Sequence, residues 1–268
     1  MKLPNFSLAL VGCGFVAACS SSSPASPALK AVPDVTSYRI VSVDGSGLAA
    51  AAGDAKRLTL VRVMSDGSTS PLNVGTQVTW SGPPVVTALA AGSDAPSILP
   101  SSGRSATAFF LRNPDHYTDD ELAGVLWVLD AGSDPNPTIA VKAAVASGNS
   151  PGEATANIVI GQMPVGDVTR GKTIYRDNCA TCHGATGQGT AHFPGLNNAP
   201  DHVAGDPAWS ATLFGMSARA DMDNKGVSLD PAMPKWLTVP SSTGKLLSPS
   251  DFADVYGFLK TQTEPVTP

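Results

Sequence analysis

Residues 179–183 read Cys179-Ala180-Thr181-Cys182-His183, two thiols and an imidazole within five positions. Three chemistries use paired cysteines at this spacing. A redox dithiol needs Cys-x-x-Cys on a helix after a strand and has no use for the histidine. A zinc site needs four ligands; no second Cys pair follows, and His192 and His202, which in principle complete a tetrahedron, do not stand at finger-type spacing. Covalent haem attachment uses all three groups. The thiols become thioethers to the two porphyrin vinyl groups, and the next residue, His183, lies under the iron and donates a ring nitrogen. The pentapeptide predicts one haem c, attached at Cys179 and Cys182 and ligated by His183.

The chain has 268 residues and four cysteines, and the other two, Cys13 and Cys19, fall in the first nineteen positions. That stretch reads MKLPNFSLALVGCGFVAAC, with Lys2 as a positive start and an apolar run over 6–18. The run is too short for a membrane span of ~20 residues. Its end, Val16-Ala17-Ala18-Cys19, resembles the lipobox of bacterial lipoproteins. The resemblance implies that residues 1–18 are a signal peptide cut before Cys19 and that Cys19 carries lipid; an ordinary signal peptide cut after Ala18 is the alternative. SSSSPASPALK follows, and residues 19–34 read as a Ser/Pro tether that reaches ~20 Å. On this reading Cys13 leaves with the signal, and Cys179 and Cys182 alone remain as thiols, which is no disulfide framework. Ser20 is not the aspartate that commonly retains lipoproteins at the inner membrane, so lipid anchoring in the cell envelope at the outer membrane is favoured.

The composition, 42% hydrophobic and 15% charged, suits a globular chain of two modest domains. Residues 20–164 carry 8 Lys+Arg against 12 Asp+Glu, and residues 165–268 carry 8 against 10, so neither part has the basic excess of a nucleic-acid binder. From about 35 to 162 the apolar pattern has period two. Seven strands are predicted, at 38–43, 57–63, 76–81, 106–111, 125–129, 138–146 and 154–161, separated by turn signals such as DGSG, SDGS and SGPP. Such spacing suggests a β-sandwich. Asp66-Gly67 in SDGS, the VTW at 78–80 and the closing GEATANIVIG resemble bacterial Ig-like domains. Thr118 with Glu121 three later is a capping box and predicts a short helix at 117–126. Trp80 and Trp127 read as core and His116 as surface. This region holds no catalytic constellation.

Around the Cys-x-x-Cys-His motif, residues 165–263 resemble class I cytochrome c. Gly171, Tyr175 and Gly184 in GKTIYRDNCATCHG stand where that family has them. The resemblance implies that the Gly171 face of one helix crosses a C-terminal helix, LSPSDFADVYGFLKT, closely. Ser248 is its N-cap, Pro249 fits its first turn, and Phe252, Val255, Tyr256 and Leu259 form its apolar stripe. Pro194-Gly195-Leu196 matches the family's Pro-x-Leu, which implies that the Pro194 carbonyl accepts a hydrogen bond from the His183 ring.

The sixth iron ligand must come from Met216, Met222, Met233, His192 or His202, with Met163 having to reach around the fold. The stretch 206–215 predicts a helix capped by Asp206, with Trp209 and Leu213 inward and Met216 at its exit. Met233 precedes proline in PAMPKW, where class I cytochromes keep their axial methionine, and is the chosen ligand, with His202 as runner-up. DMDNKG resembles a calcium loop broken by Lys225 at its fifth position and Ala232 at its twelfth. Arg219, Lys225 and Trp236 are candidates for the haem propionates, against solvated surface as the plainer alternative.

The predicted whole is multidomain, an N-terminal all-β Ig-like sandwich followed by an all-α cytochrome c fold. The predicted function is transfer of single electrons between redox protein partners by a lipid-anchored, non-enzymatic protein. Its alternatives are an open-site haem protein, such as a gas sensor or peroxidase-like enzyme, and a surface adhesion or scaffold lipoprotein with an accessory haem domain.

Overall fold

The computed structural model describes residues 33–89, 106–113, 116–135, 137–146 and 151–263, all within one compact unit that spans Pro33–Pro268. The expectations for residues 1–32, lipidation at Cys19 among them, lie outside the described residues.

Ten strands come first: β1 (Val35–Ser42), β2 (Ala49–Ala51), β3 (Ala55–Met64), β4 (Thr69–Pro71), β5 (Thr79–Ser81), β6 (Val85–Thr87), β7 (Thr107–Arg112), β8 (Val125–Asp130), β9 (Thr138–Val145) and β10 (Gly152–Gly161). Each of the seven predicted stretches holds a strand, though at 76–81 it is cut to the three residues of β5. The additions β2, β4 and β6 are three residues each, too short for a period of two to show. One sheet runs β1-β3-β8-β7-β6, with β4 on β3; the other runs β2-β10-β9-β5. Most pairs are antiparallel, but β6–β7 and β2–β10 are parallel. The two sheets share a core of Ile40, Leu60, Phe110, Leu126, Val128, Val141, Ala143 and Ile158. Between β7 and β8 lies α1 (Asp119–Leu122), begun by the predicted Thr118/Glu121 capping box.

Beyond residue 162 the named elements are helices: α2 (Val168–Asn178), α3 (Ala180–His183), α4 (Ala211–Ala220) and α5 (Pro249–Lys260). Asp167 caps α2 by accepting from Thr169 N and Arg170 N. Ser248 and Asp251 form a capping box on α5 behind Pro249, as the sequence predicts. The two helices cross at Gly171, where a Cβ would collide with the backbone carbonyl of Asp254. Asp254, 2% exposed, also ties the pair together: it accepts from Asp167 N at 2.6 Å and pairs with the Arg170 guanidinium.

Helix α4 departs from its prediction. It begins at Ala211, capped by Ser210 through Leu213 N, and passes through Gly215 to end at Asp221, which takes the left-handed conformation (φ 60°). Asp206 instead caps a turn through Ala208 N. The continuation past Gly215 has a packing reason: a Cβ there would come 2.8 Å from the Phe252 Cβ on α5, so the glycine is a crossing point rather than a stop.

The outer face of the first sheet is also covered. Along β7 and β8, Phe110, Leu126 and Val128 face the inter-sheet core, whereas Phe109, Leu111, Val125 and Trp127 face Leu213, Met216 and Ala220 of α4, with Met222 and Leu237. Strands buried on both faces read as continuous apolar runs, as AFFL and VLWVL do. The strand region and the helical region thus share a second core. His116, expected at the surface, has a side chain 8% exposed that pairs with Asp221 at the end of α4.

Candidate functional site

A cavity of about 380 Å³ opens among the helices. Cys179, Cys182, His183, Phe193, Pro194 and Leu196 form one part of its lining; Trp209, Phe214, Ser217 and Ala218 come from α4 and the turn before it; Leu229, Asp230, Ala232, Met233, Pro234 and Trp236 come from the following loop; and Phe252 comes from α5.

The attachment motif stands where α2 gives way to α3. Cys179 closes α2 through its N–H to Tyr175 O and starts the single turn that carries Cys182 and His183. Tyr175, fully buried, packs its ring 5.4 Å from Phe258 of α5 and donates its hydroxyl to Gly184 O at 2.7 Å, so the helix crossing and the far end of the motif are joined by one side chain. Both cysteines are free. Burial pushes the Cys179 thiol up to about 12, with Cys182 adding to the rise.

The His183 ring lies 3.0 Å from the Pro194 carbonyl through Nδ1 and packs 5.8 Å from Phe193. A carbonyl oxygen only accepts, so Nδ1 carries the proton and Nε2 keeps its lone pair. Burial holds the imidazole below its ordinary range, with the Pro194 carbonyl partly opposing this. The ring is therefore a neutral, oriented nitrogen donor.

Of the candidates for a second axial ligand, Met233 lines the cavity. Met216 and Met222 are fully buried in the core shared with β7 and β8. Met163 packs against Gly53, with its sulfur 3.2 Å from Thr212 Oγ1. His202 Nδ1 is 2.6 Å from Asn197 Oδ1, and its ring fills the space over Gly195. His192 is exposed. Met233 N donates to Asp230 O at 2.8 Å, and Ala232 N donates to the Asp230 carboxylate, so a tight turn presents the methionine.

Two of the propionate candidates lie elsewhere. Arg219 is buried against the strand region, donating to Gly53 O at 3.2 Å beside Asp54, and Lys225 is exposed. Trp236 does line the cavity. The acids of the calcium-like loop are engaged by protein: Asp223 accepts from Lys225 N and Val227 N within the loop, and Asp221 pairs with His116. Among the described residues no cluster of three or more His, Cys, Asp or Glu is placed to hold a bare metal ion.

The lining suits a large, flat, mostly apolar group carrying a metal. Its walls are aromatic and aliphatic, it has two free thiols three positions apart, and it presents one neutral imidazole. Ser217 Oγ is buried in this wall with no hydrogen-bond partner among the described residues, which leaves a donor for a polar edge of the guest. Phe193, Val203, Phe214 and Ser217 carry no motif, and the sequence did not single them out for the site.

Comparison with known proteins agrees with this geometry. Residues 168–263 match the family described as Cytochrome c. The chain is 36% identical over 85 aligned positions to cytochrome c-555 of Methylococcus capsulatus, covering 28% of this chain and 69% of that one. It is 46% identical over 44 residues to the cbb3-type cytochrome c oxidase subunit FixP of Bradyrhizobium diazoefficiens, covering 16% of this chain and 13% of that protein.

Proposed function

Because this chain belongs to the cytochrome c family through residues 168–263, we propose that it shuttles single electrons between redox proteins of the cell envelope while tethered by lipid at Cys19. Its cofactor is haem c, bound covalently, with Cys179 and Cys182 at the attachment spacing. We read residues 165–263 as a class I cytochrome c domain and residues 35–162 as an Ig-like sandwich.

Haem c supplies a one-electron couple when bound. His183 would hold the iron through Nε2 and Met233 through its thioether, with Pro194 orienting the imidazole. Two protein donors on the iron would leave a substrate no position on the metal, which favours a carrier over an open-site enzyme. A soft thioether and an apolar wall both stabilise the reduced form and raise the potential. The observation that carries the reading is that His183 and Met233 line the same apolar cavity, while each rival donor is engaged or exposed elsewhere. No helix among the described residues is long and apolar enough to cross a membrane, and attachment through lipid at Cys19 needs none.

Optical spectra and potentials of wild type and Met233→Ala test the ligand set. The wild type is expected to be low-spin in both oxidation states. The substitution is expected to give a high-spin ferric spectrum and a lower potential. An unchanged low-spin ferric spectrum and potential in Met233→Ala would contradict the assignment.

A further inference from the structure

Met233 sits in a loop that is gripped on both sides by the strand region. Upstream, Asn113, one residue past β7 and 1% exposed, donates its amide to Ala220 O at 3.2 Å and Asp221 O at 3.3 Å. The same side chain accepts from Ser228 Oγ at 3.3 Å, so it spans the two limbs of the 221–228 loop. Asp221 O in turn accepts from Leu229 N, the residue that leads into the Asp230 turn under Met233. The continuation of edge strand β6 grips the loop too: Leu89 N donates to Gly226 O at 2.8 Å, and Ser228 N donates back to Leu89 O at 3.0 Å. The loop thereby adds to the edge of the sheet. Tyr117 donates its hydroxyl to Arg219 O at 2.8 Å. Downstream of Met233, Lys235 lies 5.3 Å over the Tyr117 ring, and Leu237 is buried in the shared core.

We propose that Asn113 is a positioning residue for the axial methionine, by which the strand region holds the Met233 loop closed over the haem. The proposal rests on Met233 being the ligand. The physical reason is reach. A loop of this length has many conformations, and freezing it in one needs enthalpy from outside itself. The helix exit at Asp221 leaves carbonyls that α4 does not satisfy; Asn113 takes Ala220 O in a buried place where leaving it unpaired is costly, and shares Asp221 O with Leu229 N. Its third bond fixes the returning limb. The grip lies behind the cavity, since Asn113 is not among the lining residues, so it acts on Met233 through the loop and not on the haem directly.

The test is imidazole binding to the ferric holoprotein, full chain, which reads how readily Met233 leaves the iron. Asn113→Ala is expected to tighten apparent imidazole binding about tenfold, as loss of two or three buried hydrogen bonds implies. It should also weaken the methionine-to-iron charge-transfer band. Ile158→Val, in the inter-sheet core away from the loop, is the control for general destabilisation and should leave imidazole binding within about twofold. If Asn113→Ala does not fold, Ser228→Ala, which removes only the third bond, should still tighten binding by about threefold. Imidazole binding unchanged in both loop variants, or tightened equally in Ile158→Val, would overturn the proposal. Met233→Ala, run beside them, separates the two claims. If wild type already binds imidazole as Met233→Ala does, the ligand assignment has failed and the positioning role falls with it.

Discussion

On the Cys179 side of the cavity, the grips on the functional side chains come from nearby in the chain. His183 is held by Pro194, 11 positions on, and the motif is stapled by Tyr175, 9 positions before the carbonyl it meets. On the Met233 side, the grips come from more than a hundred positions away: Asn113 reaches Ala220 and Asp221, and Tyr117 reaches Arg219. The near side is a local motif backed by one helix crossing. The far side is a loop that depends on another part of the fold. The strand region is structurally continuous with the haem site, because α4 packs one face toward the cavity through Phe214, Ser217 and Ala218 and the other onto Phe109 and Trp127 through Leu213 and Met216.

Three substitutions test that contrast. The largest effect is expected from Trp127→Ala, which empties the centre of the shared core, where Trp127 is fully buried. It should cost about 3–5 kcal/mol, a fall in Tm on the order of 10 °C. Covalently retained haem should stay at wild-type content, while the ferric spectrum shifts toward high spin as the Met233 side loosens. Loss of haem attachment alongside unaltered ligation would reverse the contrast. Gly171→Ala addresses the near side. Its Cβ would meet the Asp254 carbonyl, and the overpacking should cost about 1–3 kcal/mol, read as a lowered denaturant midpoint with imidazole binding unchanged. A neutral result would mean the α2–α5 crossing is looser than its geometry.

The smallest effect is expected at Ser217, and it changes sign with the cofactor. Without haem, the buried hydroxyl is unsatisfied, and Ser217→Ala should stabilise the protein by about 1 kcal/mol. With haem attached, the hydroxyl has a polar guest to meet, and the gain should vanish or reverse. Chemical denaturation of both forms measures this. Equal shifts would show that the hydroxyl finds nothing in the haem.

The same contrast explains what was legible in the sequence. Cys179, Cys182 and His183 could be read from spacing because their geometry is local, and Pro194 came through the resemblance to class I cytochrome c. The Phe252–Leu259 stripe could be read because helix periodicity carries it, whereas the crossing at Gly171 and Tyr175 was implied by the resemblance to class I cytochrome c. The six longer strands were visible by alternation, and the run at 76–81 marked the short β5. What was hidden depends on tertiary contact. Asp206 looks like a cap and Gly215 like a stop, yet Ser210 takes the cap, and Gly215 is retained for its approach to Phe252. Arg219 reads as a solvated cation or a propionate partner, but the pairing with Asp54 and Gly53 O that buries it comes from more than 160 positions away. His116 reads as surface because Asp115, Asp119 and Asp120 surround it in sequence; the partner that meets it where it is buried, Asp221, lies more than a hundred positions on. The double-faced burial of β7 and β8 did leave a sign, the unbroken runs AFFL and VLWVL, which a count of alternation alone passes over.

Carbon monoxide added to the ferrous, full-length holoprotein tests the closed site most directly. With His183 and Met233 on the iron, the wild-type spectrum should not change on mixing, whereas Met233→Ala should form the adduct at once. Immediate adduct formation by wild type would contradict the account.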